Sequence, residues 1–155
     1  MIEHLRKLEP AEAEQVIDAI AHITVLIAGA DGEFEDREKS WAQKITEIRS
    51  YKLPAGLKEY YKLVGETFQV KVEQFIEKYS DDTEERNQQI TEELSKLNDI
   101  LPKLNRNFAI QLVQSFRSFA EHVAEASGGF WGISSGIKVS EKQLLNLEMI
   151  HYPAE

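Results

Sequence analysis

The chain has 155 residues, 42% of them hydrophobic, with 27 acidic side chains against 18 basic ones and a net charge of −9. That length supports one core and so one domain over residues 1–155. The acidic balance repels nucleic-acid phosphates and anionic bilayers, so neither is an expected partner, and zero cysteines exclude a disulfide framework, a thiolate metal site and a thiol nucleophile.

Residues Met1 to Pro10 interleave charges with apolar side chains and lack the apolar core of a secretion signal. The longest uncharged apolar stretch, Ala19 to Ala30, falls well short of the ~20 residues that a membrane-spanning helix needs. A cytoplasmic chain is expected. Val16, Ile17, Ile20, Ile23 and Ile27 recur at the three-and-four spacing of one helix face, with Pro10 suited to the first turn. Trp41, Ile45 and Ile48 repeat that spacing between Asp36 and Ser50, which predicts a second helix and a helical hairpin.

From Leu57 to Tyr79 the apolar set Leu57, Tyr60, Tyr61, Val64, Phe68, Val72, Phe75, Ile76 and Tyr79 predicts a long helix, with Gly65 a candidate kink or break. The acidic run Ser80-Asp81-Asp82-Thr83-Glu84-Glu85 suits an N-cap and first turn, where the helix dipole favours negative charge. Ile90, Leu94, Leu97 and Leu101 carry a further helix. Pro102 marks its kink or boundary, and Leu104, Phe108, Leu112, Phe116, Phe119 and Val123 continue the pattern. A last helix is predicted from Ser140, where Ser140-Glu141-Lys142-Gln143 has the form of a capping box. No segment alternates like a strand. The fold class expected is all-α, a compact bundle of about six or seven helices.

The richest chemistry lies in Ala30-Asp31-Gly32-Glu33-Phe34-Glu35-Asp36-Arg37-Glu38. Asp-Gly after an apolar helix signals a tight turn, and Glu35 followed by Glu38 fits the cap of the next helix, so one reading is purely structural. The other is a divalent-cation site, because Asp31, Glu33, Glu35 and Glu38 offer several hard oxygen donors within one turn and a helix start, a set suited to calcium or magnesium. The spacing is not that of an EF-hand loop.

Ala28-Gly29-Ala30-Asp31-Gly32-Glu33-Phe34 followed by Glu38 resembles the Asp-Gly…Glu signature of the TerB-like tellurite-resistance proteins. Val123-Ala124-Glu125-Ala126-Ser127-Gly128-Gly129-Phe130 and Lys138-Val139-Ser140-Glu141 are similar to that family's second signature. The resemblance implies a small helical bacterial protein of tellurite or stress resistance, without enzymatic activity, built from two pseudo-related halves whose acidic residues bind metal. Here the second copy departs from the pattern: Ser127 stands where the first has Asp31, and Gln143 replaces the acid at Glu38. Any metal therefore rests on Asp31, Glu33, Glu35 and Glu38 alone.

Gly128-Gly129-Phe130-Trp131-Gly132 fits neither a Walker motif nor a dinucleotide fingerprint. Phe130 and Trp131 read either as anchors that fix a long loop to the helices or as an exposed surface that contacts a partner protein. His22 and His122 lie on helices that lead into the two signatures and are candidates to meet, although no histidine pair has the spacing of a helical zinc site. No nucleophile–base order is evident. The alternative to a cation-binding TerB-like protein is a metal-free helical scaffold or interaction module that uses the Phe130–Trp131 loop.

Overall fold

The computed structural model describes residues 3–28, 43, 44, 46, 47, 49, 53, 55–126 and 146–153. Its helices are α1 (Pro10–Ala28), α2 (Ala55–Lys78), α3 (Thr83–Ser95), α4 (Leu97–Ile100) and α5 (Arg106–Ala126), with 3-10 turns at Glu3–Leu5 and Leu101–Lys103. Residues 43, 44, 46, 47 and 49 are helical too, and no strand occurs among the described residues, so the class is all-α.

α1 is the centre of the fold and packs against α2, α3 and α5. Sequence spacing predicts one apolar face, yet every residue from Asp18 to Ile27 is buried, because neighbours enclose the helix on all sides. Pro10 opens it with a missing N–H that costs nothing there, and the Glu9 N–H donates to Glu12 Oε1 at 3.1 Å, half of a capping box. The second half of α1 is uncharged from Ala19 onward, which is what such enclosure requires.

α2 buries Leu57, Tyr60, Tyr61, Val64, Phe68, Val72 and Phe75, with Ile76 only partly covered. It runs through Gly65 without a break. Tertiary packing overrides the low helix propensity of glycine there, and among the described residues a Cβ at this position would meet only Thr46 Oγ1, at 4.0 Å. Gly65→Ala is accordingly expected to raise stability by roughly 0.5–1 kcal/mol, read as a higher urea midpoint at unchanged slope.

Asp82 caps α3 by accepting the Glu85 N–H at 2.9 Å, and Ser80 ties the same turn through Glu85 Oε2 at 3.0 Å. The expected helix through Ile90 and Leu101 is divided at Lys96. The Lys96 N–H reaches Glu93 O at 3.3 Å and the Asp99 N–H reaches Lys96 O at 3.2 Å, a three-residue spacing that tightens the turn. Ser95 Oγ donating to Glu92 O at 2.7 Å competes locally with the four-residue ladder. Pro102 then sits in a 3-10 turn, Leu104 is extended, and Asn105 Oδ1 accepts the Phe108 N–H at 3.1 Å to start α5.

Glu12 pairs with Lys103 just before α5, and His4 stacks on Phe108 with ring centres 4.2 Å apart, so α1 and α5 begin at the same end of the bundle. No helix among the described residues is long and apolar enough to cross a membrane.

Candidate functional site

Asp31, Glu33, Glu35, Glu38, Phe130 and Trp131 lie outside the described residues, as does the capping box at Ser140. What the structure gives is their attachment. The acidic segment follows α1, which ends at Ala28, and leads to the described helical residues 43, 44, 46, 47 and 49. Arg49 pins that region to α5: Nη1 donates to Ser115 Oγ and Nη2 to Ser118 Oγ, each at 3.0 Å. Its guanidinium carbon lies 5.4 Å from the Tyr61 ring centre and 5.8 Å from that of Phe119, so aromatic faces hold the charge as well. The Phe130–Trp131 segment follows the end of α5 at Ala126.

A polar seam crosses the contact of α1 with α2. Lys71 Nζ bridges Glu14 Oε1 at 3.0 Å and Asp18 Oδ2 at 3.3 Å. Burial works against the Lys71 charge, but the bonds and charges of Glu14 and Asp18 outweigh it and hold the ammonium above its ordinary range. Asp18 moves upward instead, because burial outweighs the attraction of Lys71 and its Oδ1 finds no hydrogen-bond partner among the described residues. The two directions are consistent: the lysine gains two acceptors, whereas only one carboxylate oxygen of Asp18 gains a donor.

One turn further along α1, His22 stacks on Phe75 with ring centres 4.0 Å apart and planes 4° from parallel, and its Nε2 lies 2.9 Å from the Tyr79 hydroxyl. Burial pushes the imidazole down to about 4 and lifts the Tyr79 phenol to about 12. Both partners therefore stay neutral around pH 7, joined by a hydrogen bond between neutral groups.

His122 does not join it. It is exposed on α5 and donates from Nδ1 to Ser118 O at 2.8 Å. Ser115 is bonded to the Tyr61 hydroxyl and to Arg49, neither of which can take a proton from it: burial raises the Tyr61 phenol, and a guanidinium has no acceptor. Among the described residues no group of three or more His, Asp or Glu side chains is placed to hold a metal.

Sequence reasoning missed this seam and the Arg49 clamp. Asp18 and His22, four apart inside an apolar run, were a usable signal for a polar stripe on a buried helix; Tyr79, 57 positions from His22, offered none. Comparison with protein-family profiles, with curated proteins and with solved structures finds no match to this chain.

Proposed function

We propose that this chain is a non-enzymatic, TerB-like cytoplasmic protein of the tellurite- and stress-resistance type, which binds a divalent cation through Asp31, Glu33, Glu35 and Glu38. The observation that carries the reading is the attachment of the acidic segment. It joins the most enclosed helix, α1, to a helical stretch that Arg49 fastens to α5. Four carboxylates within eight positions of sequence repel one another, and a hard cation with oxygen coordination relieves that repulsion, as calcium and magnesium do.

The pseudo-related halves belong to the same proposal. α1 and α5 start at one end of the bundle, and each leads into one of the two signature segments; the proposed whole is a bundle of about six or seven helices. The neutral His22–Tyr79 pair and the inactive Ser115 environment support a binding role over a catalytic one.

Calorimetry with calcium and with magnesium tests the assignment. The wild-type chain is expected to give a saturable heat that the Asp31→Asn, Glu38→Gln double variant loses. Equal traces from the two proteins would remove the cation, leaving the scaffold reading in which Phe130 and Trp131 contact a partner protein.

A further inference from the structure

Residues 146–153 are held in an unusual way. They share no helix or sheet ladder with the rest of the described residues, yet Leu147 and Ile150 are completely buried. Asn98 of α4 reads their backbone with both ends of its amide: Nδ2 donates to Met149 O at 2.8 Å, and Oδ1 accepts the His151 N–H at 2.8 Å. Arg117 of α5 donates to Ile150 O at 3.2 Å, and its guanidinium carbon lies 4.7 Å from the Tyr152 ring centre. The segment makes a turn closed by the Ile150 N–H on Leu147 O at 3.0 Å and then runs extended.

These are the elements by which proteins recognise short peptides: side chains that satisfy backbone groups in register, aliphatic anchors in an apolar seat, and an aromatic ring against a cation. Leu147 has φ 50°, a region that leucine seldom adopts, and its side chain is completely buried.

We propose that the face formed by Asn98 and Arg117 is a peptide-docking site, filled in this chain by its own residues 147–152. The occupant it fits in trans is a partner protein's short segment of the same chemistry: two aliphatic side chains three positions apart, with an aromatic two positions after the second. The chain's own segment competes with such a partner, so the site opens only to a ligand that outcompetes it.

The test uses the full-length chain and a fluorescein-labelled peptide of residues 146–153, with binding read by anisotropy. Ile150→Asp displaces the internal segment, and this variant is expected to bind the peptide at least tenfold more tightly than wild type. Adding Asn98→Ala to it is expected to weaken binding about tenfold, through loss of two backbone bonds. A folded Ile150→Asp chain that fails to bind, or binds equally well without Asn98, overturns the proposal.

Amide exchange on the wild-type chain decides the matter independently of that variant's folding. The amides of Ile150 and His151 are expected to exchange through a local opening, faster than those of Val16 and Ile20 in α1. Equal protection at all four sites would make the segment an inseparable part of the core and would sink the idea.

Discussion

Acidification from neutrality to about pH 4 is expected to remove about 3 kcal/mol of folding stability through His22 alone. The folded imidazole titrates near 4, against 6.5 for its ordinary value. Above 6.5 the ring is neutral in both states. Between the two values the unfolded chain takes up a proton that the folded chain refuses, so the contribution is lost as pH falls through this window. The cause is burial first; the nearby Glu93 charge pulls the other way, and Lys78, Lys71 and Lys96 add to the depression. Asp18 partly offsets the loss, because its raised carboxyl takes a proton more readily in the folded state. Urea midpoints from pH 7 down to 4 check this: His22→Phe keeps the stack on Phe75 and should flatten the pH dependence. An unchanged slope would show that another group titrates.

The second large effect is expected at Phe116. Its ring is fully buried on α5, 6.2 Å from the Tyr60 ring centre, and Tyr60 in turn donates to Val16 O of α1 at 2.7 Å. Phe116→Ala removes the side chain from the meeting place of α1, α2 and α5 and should cost roughly 3–5 kcal/mol, a large share of a typical domain's stability. In a chain of this size the melting temperature followed by far-UV circular dichroism should fall by on the order of 10 °C. A fall of a degree or two would mean that this face of α5 collapses readily around the gap.

Much of the helical frame was legible because its signals are local. The apolar spacing from Leu57 to Phe75 marks the buried face of α2, and the acidic run before Thr83 marks a helix start that Asp82 indeed caps. The uncharged stretch after Ala19 showed where the core lies, although periodicity alone assigned α1 one face when it has neighbours all round. The break at Lys96 was hidden, since it depends on a Ser95 hydroxyl that chooses the backbone over solvent.

Long-range polar partners left no trace. Asn98 and Arg117 each look like ordinary surface residues in sequence; their roles exist only because residues 146–153 return to them. For the candidate cation site, sequence supplied the residues and the structure supplied the two anchored ends between which they lie.

The most direct test of the central claim is a two-dimensional amide NMR titration of the full chain with calcium. The cation-binding account predicts saturable shifts at Asp31, Gly32 and Glu33, absent in the Asp31→Asn, Glu38→Gln variant, while core amides such as Ile20 and Leu112 stay in place. Unmoved Asp31 and Gly32 amides at saturating calcium, in a spectrum that is otherwise that of the folded protein, would contradict it.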